Sequence, residues 1–197
     1  MRIILQRVLE ASVSVGGKEI SRIGRGLLVL LGITDKDDNK LAEKMAKKLL
    51  RIRVWDEIMN KKPLNQAGES KSEEEEIKTS SEANNDNGKN NENKEPRSWH
   101  SCVIDNDYEV LVVSQFTLYG ILKGNKPDFH KAMNADEARK MYEFFLTVLK
   151  KDYKEEKIQG GMFQEYMHVG LVNDGPVTLV YEEENEEENN NNSKKKK

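Results

Sequence analysis

The chain has 197 residues, enough for one domain with appendages. Its formal charge of −3 is unevenly spread: nine acidic and five basic residues lie in 66–97, six Glu and four Lys in 182–197, and the rest holds 23 basic against 20 acidic groups, a mildly basic body that suits a nucleic-acid partner without requiring one. A single cysteine, Cys102, rules out an intrachain disulfide, no apolar run reaches 18 residues, and Met1–Arg7 is unlike a signal peptide, so a soluble cytoplasmic protein is expected.

Residues 2–15 read as a strand, with Ile3, Leu5, Ala11, Val13 and Val15 on one alternating set. Arg7 falls on that set. It is either buried with its head paired, or at a strand edge with its head in water. Gly16-Gly17 signals a two-residue hairpin that returns along Lys18–Ile23. Leu27–Leu31 is apolar on both faces and reads as a central strand covered on both sides. From Asp35 to Val54 the period becomes helical: Leu41, Met45 and Leu49 form a stripe flanked by Ala42, Ala46 and Leu50, opposite a mostly basic face.

Between Gln66 and Arg97 there is no aromatic residue, and Asn and Glu cluster, so this stretch is expected to be a disordered insertion. Tyr108–Val113 is a second apolar strand that runs without a break into Ser114-Gln115-Phe116-Thr117-Leu118. A continuous strand would put Gln115 and Thr117 on the face of Leu111 and Val113. Gly120–Lys131 reads as a basic loop. Asn134 with Glu137 is a capping signature that opens a helix with Ala138, Met141, Tyr142, Phe145 and Leu149 on one face. Met162–Tyr181 completes the strands, interrupted by Asn173-Asp174-Gly175-Pro176-Val177-Thr178. That interruption is either a plain hairpin turn or a break that frees backbone groups for a ligand. The tail 182–197 is of low complexity and expected to be disordered.

Conventional catalytic sets are absent from the pattern. His100, His130 and His168 are too scattered to spell a metal motif, and Cys102 has no ligand companion. Neither a nucleophile elbow nor a Walker-type loop is present. Thr117 as a nucleophile would lack a base, since its strand holds neither His nor Lys. The two interrupted strands instead supply freed backbone groups, an amide and hydroxyls, suited to binding an amino-acid carbonyl and stabilising an oxyanion. A cis Gly175–Pro176 bond is plausible chemistry, because cis costs X-Pro only about 0.5–1 kcal/mol.

Met1–Val8, Gly26–Gly32, Ser114-Gln115-Phe116-Thr117-Leu118, Lys126-Pro127-Asp128-Phe129 and Asn173–Thr178 together resemble the D-aminoacyl-tRNA deacylases. The resemblance covers Met1 to about Tyr181 apart from the insertion. Ser114-Gln115-Phe116-Thr117 matches the D-specific branch, since a related animal deacylase of relaxed chirality differs there. The resemblance implies a single-domain α/β fold over 1–181, with a small β-barrel-like antiparallel or mixed sheet and two main helices. It also implies a homodimer that hydrolyses the ester of D-aminoacyl-tRNA and of glycine mischarged on alanine tRNA. Gly175 and Pro176 would be a Gly-cisPro motif inserted into the partner subunit's site, where its carbonyls exclude L-side chains. Arg7 would anchor that motif, while Ser114, Gln115 and the Phe116 and Thr117 backbone would hold the amino acid. Catalysis in the family has been assigned to Thr117 or to the 2′-hydroxyl of the tRNA's terminal adenosine, and the missing base beside Thr117 favours the second. No metal or cofactor is implied. Glu165 and Tyr166 depart from the smaller residues many relatives carry there, which leaves that pocket wall open. Two rivals remain: a non-catalytic nucleic-acid-binding module, and a broader hydrolase with Thr117 as nucleophile.

Overall fold

The computed structural model describes residues 1–57 and 97–185. Most of the expected insertion (66–96) and tail (186–197) therefore lies outside the described residues. Strand β1 (Arg2–Val15) turns at Gly16 and Gly17, both at positive φ, into β2 (Lys18–Ile23), as the hairpin signal requires. Strand β3 (Gly26–Gly32) lies antiparallel to the first half of β1 and parallel to β4 (Glu109–Ser114). A short β7 (Ile158–Gly160) adds to β4, and the long β8 (Met167–Glu182) runs antiparallel along the other edge of β1. These six strands form one mixed sheet in the order β2-β1-β3-β4-β7, with β8 on β1. The sheet curls far enough for β2 to contact β4 and β7, giving a nearly closed, barrel-like α/β domain. No helix among the described residues is long and apolar enough to cross a membrane.

The curl explains why β1 changes faces. Ile3 and Leu5 point into a core beneath the helices, whereas Val8, Ala11 and Val13 point into the interior of the curl with Leu28, Leu111 and Val113. The changeover falls at Val8–Glu10, where the register with β8 shifts. The single alternating set expected for β1 is thus split by a bulge. Strand β3 is covered on both sides, as its apolar run demands: Leu27, Val29 and Leu31 face the helices and Leu28 faces the interior.

Both helices pack on one face of the sheet. Helix α1 (Asn39–Leu49) is shorter than the expected 35–54 because Asp38 caps it, its carboxylate accepting from the Leu41 N–H at 2.8 Å, and it buries the predicted stripe. Helix α2 (Ala135–Asp152) starts where the capping signature put it, the Asn134 side chain accepting from the Glu137 N–H at 3.1 Å. The segment read as a basic loop contains a small hairpin, β5 (Ile121–Lys123) and β6 (Lys126–Asp128), with Gly124 at positive φ in its turn. At the edges of the described residues, Arg97 pairs with Glu57 through two bonds of 2.9 and 2.7 Å. Past the expected boundary at 181, β8 continues to Glu182, and the Glu183 N–H donates to the Met1 carbonyl at 3.0 Å.

Candidate active site

Strand β4 does not continue through Thr117. The Gln115 N–H donates to the Leu31 carbonyl at 2.7 Å, but β3 ends at Gly32, so the ladder has no further partner. The chain bonds to itself instead in a 3-10 turn over Phe116–Tyr119, with Leu118 N–H on the Gln115 carbonyl at 3.2 Å and Gly120 N–H on the Thr117 carbonyl at 2.9 Å. The alternation expected for Ser114–Thr117 is thereby lost. The Phe116 and Thr117 N–H groups precede the turn's first bond and are left out of both ladder and turn.

At this end of the parallel pair β3/β4 lies a cavity of about 580 Å³. Ser114, Gln115 and Phe116 form one wall, and Phe129, Met133, Ala135 and Ala138 form another. The loop Phe163–Tyr166 and the start of β8, Met167 and Val169, close it. A crevice at the carboxyl ends of parallel strands is where α/β sheets commonly bind ligands. Phe116 meets Phe129 edge-on with centroids 5.0 Å apart, which ties the 3-10 turn to the segment after β6. Thr117 is exposed and does not line the cavity. Among the described residues its hydroxyl meets one partner, the Gln115 side-chain amide, which is no base.

The wall from Gly161 to Tyr166 is held by α2. The Tyr142 hydroxyl donates to the carbonyls of Val112, at 2.9 Å, and Gly161, at 3.1 Å, and burial pushes this phenol well above its ordinary pKa. The Arg139 guanidinium sits 4.9 Å from the Phe163 ring centre and donates to the Gln164 side-chain carbonyl at 2.6 Å. Gln164 itself has φ +66, the left-handed region that side chains rarely adopt. Sequence reading placed Glu165 and Tyr166 on a pocket wall but missed Phe163, Gln164, Tyr142 and Arg139, which come from segments with no shared pattern.

Gly175 and Pro176 lie elsewhere. The ladder pairs Gln6 with Thr178 and Val8 with Asn173, so residues 174–177 bulge outward opposite Arg7, and the chain continues along β1 without reversing. A hairpin turn is therefore excluded. The Gly175–Pro176 peptide is cis, with Gly175 at φ +114. The Asn173 side chain spans the bulge, donating to the Thr178 hydroxyl at 3.0 Å and accepting from the Val177 N–H at 2.9 Å. Arg7 anchors it from below: its head donates to the Asp174 carbonyl at 3.1 Å and the Val54 carbonyl at 2.5 Å, and lies 3.3 Å from the Asp174 carboxylate. That pairing settles the choice for Arg7, whose side chain is only 18% exposed. Gly175 and Pro176 face a separate cleft of about 410 Å³, shared with Arg7, Trp99 and Leu179. Within one chain the two interruptions, at Gln115 with Phe116 and at Gly175 with Pro176, line different cavities. The three histidines stay outside the cavity wall, and among the described residues no three His, Cys, Asp or Glu side chains converge.

The fold recurs in solved structures. One, described as c-Myc DNA unwinding element binding protein, superposes with a TM-score of 0.72 at 40% identity, covering 94% of this chain and 100% of that one. Another, described as a probable eukaryotic D-amino acid tRNA deacylase, shares the fold at a TM-score of 0.62 and 17% identity, over 91% and 97% of the two chains. The chain belongs to the D-Tyr-tRNA(Tyr) deacylase family, whose sequence profile matches residues 4–75 and 83–182. Between those bounds 76–82 is passed over, so the profile reaches into both ends of the stretch read as an insertion. D-aminoacyl-tRNA deacylase 1 of Mus musculus is 42% identical over 92% of this chain and 70% of its own length. The D-aminoacyl-tRNA deacylase of Dictyostelium discoideum is 38% identical over 91% and 95%.

Proposed function

We propose that this protein is a hydrolase that cleaves the ester between a D-amino acid and tRNA in the cytoplasm, acting as a homodimer in translational proofreading. The observation that carries the reading is the exposed Gly175–Pro176 bulge. It is anchored by Arg7 yet unused by the cavity of its own chain, so its natural place is the cavity of a second copy. In that arrangement the Gly175 and Pro176 carbonyls would stand where the side chain of an L-amino acid must go. An attractive pocket discriminates a methylene by only about 1–3 kcal/mol. Rejection by a rigid backbone exceeds that and spares every L-aminoacyl-tRNA. Glycine has no side chain to reject, so glycine mischarged on alanine tRNA is a substrate of the same site.

For the chemistry, Ser114, Gln115 and the Phe116 and Thr117 backbone hold the aminoacyl group. The N–H groups at the start of the 3-10 turn donate to the oxyanion that forms when water attacks the ester carbonyl. Thr117 has no base beside it, so the 2′-hydroxyl of the terminal adenosine is the group that assists the attacking water. A second reading, nucleic-acid binding without catalysis, draws support from the 40%-identical neighbour described as a DNA unwinding element binding protein. Incubation with D-Tyr-tRNA and L-Tyr-tRNA separates the two. Rapid, D-selective release of tyrosine is expected, and decay of both at the buffer rate would leave only the binding reading.

A further inference from the structure

We infer that the β5–β6 hairpin is the arm that docks the single-stranded, phosphate-bearing 3′ end of the RNA, an inference that rests on the deacylase reading for the direction of approach. The hairpin forms a two-stranded sheet of its own. A lone hairpin of three-residue strands is marginal in water, so its retention calls for a purpose other than core packing. Its register pairs Lys123 with Lys126 and Leu122 with Pro127. Two lysines directly opposite each other on one face repel, unless an anion lies across them. Asp128 engages Lys123, the His130 ring at 2.6 Å and the His130 backbone N–H at 2.9 Å. Lys126 and Lys131 form no ion pair among the described residues. The other face carries Leu122, 73% exposed, beside Pro127. Lys126 on one face, with Lys131 just beyond the hairpin, and an exposed apolar face behind them combine what phosphates and unstacked bases require.

Position supports the same partner. Phe129, one residue beyond β6, packs on Phe116 at the cavity wall, so the hairpin springs directly from the cavity's rim. The loop that closes the cavity carries Glu165, and the first turn of α2 carries Asp136 and Glu137. The cations there are engaged, Lys140 by Glu137 and Arg139 by Phe163 and Gln164. A polyanion whose terminal nucleotide enters the cavity therefore leaves over the hairpin, on the side of the unpaired lysines.

The test is the double variant K126Q/K131Q, with K48Q/R51Q at the C-terminal end of α1 as a control that removes equal charge elsewhere. Lys123 is left intact because it pairs with Asp128. Two esters are compared, D-Tyr-tRNA and 3′-O-D-tyrosyl-adenosine, which has no phosphate, and binding of uncharged tRNA is measured as a function of salt. For K126Q/K131Q we expect KM for D-Tyr-tRNA and Kd for uncharged tRNA to rise about tenfold, with the salt slope reduced by about 0.7 per lysine. Turnover of the adenosine ester and the control variant's constants should stay unchanged. An unchanged salt slope and Kd would overturn the inference, as would equal losses on both esters, which would make the hairpin part of the cavity. A wild-type protein inert to both esters would refute the deacylase reading alone, because the uncharged-tRNA titration still decides the hairpin.

Discussion

Gly175→Ala is the sharpest perturbation of the bulge. An alanine Cβ there would lie 2.7 Å from Arg7 Nη2 and 3.0 Å from Val177 Cγ2, at a φ of +114. The backbone conformation alone costs about 1–3 kcal/mol for a residue with a side chain. The clash also pushes the guanidinium off its carbonyl partners, and each hydrogen bond to a charged group contributes about 1.5–3 kcal/mol. Partial exposure lets water replace part of that loss, and alanine's stiffer unfolded chain returns about 0.4–1 kcal/mol. The net expectation is a destabilisation of roughly 2–4 kcal/mol, read from urea unfolding. Displacing a positioning group by about 1 Å removes on the order of a hundredfold in rate, so kcat/KM for D-Tyr-tRNA should fall by that factor. Selectivity over L-Tyr-tRNA should narrow as well. Arg7→Ala removes the same anchor, so the double variant should be little worse than the worse single one. A Gly175→Ala protein with wild-type stability and wild-type D-selectivity would refute both the anchoring and the gating role.

Thr117→Ala should keep kcat within about threefold of wild type, since loss of an activated nucleophile removes on the order of 10⁴-fold or more; a drop of that size would restore the nucleophile reading. Arg139→Ala should raise KM severalfold with kcat little changed, because Gln164 at positive φ is strained by about 1–2 kcal/mol without its clamp. Adding Gln164→Gly should restore KM, and no rescue would argue that Arg139 acts some other way. The Glu57–Arg97 pair gives a pH signature. Arg97 holds the Glu57 carboxyl at about 2, below its ordinary 4.5, so the pair's contribution is present above 4.5 and fades as pH falls through 2. The gap in urea midpoint between wild type and Glu57→Gln should therefore close over that window, and a gap that persists at pH 1.5 would contradict the assignment.

Much of the frame was legible because local and tertiary signals agreed. Gly16-Gly17, the doubly apolar β3, the α1 stripe and the Asn134 cap each follow from short-range chemistry that packing then reinforced. The 3-10 turn at Phe116 was not legible, since Phe-Thr-Leu-Tyr has good strand propensity and continues the alternation of β4. What stops the strand is the end of β3 at Gly32, a neighbour far away in sequence. Likewise, Asn-Asp-Gly-Pro carries turn chemistry, and only the presence of β1 along both sides of the break makes it a bulge. The cavity wall depended on α2 reaching the loop before β8, which no local pattern encodes.

Strand β8 also acts as a ruler. Val169 lines the cavity and Gly175 sits on the bulge, six residues further along, a span of roughly 20 Å at about 3.3 Å per residue. A single inserted or deleted residue between them would shift the bulge by a full residue step and turn every following side chain to the opposite face. Between Glu57 and Arg97 the same accident changes no spacing, because those two residues are stitched to each other by their own bonds. Tolerance to length change should therefore be abrupt along this chain: wide between 57 and 97, and nil between 169 and 175.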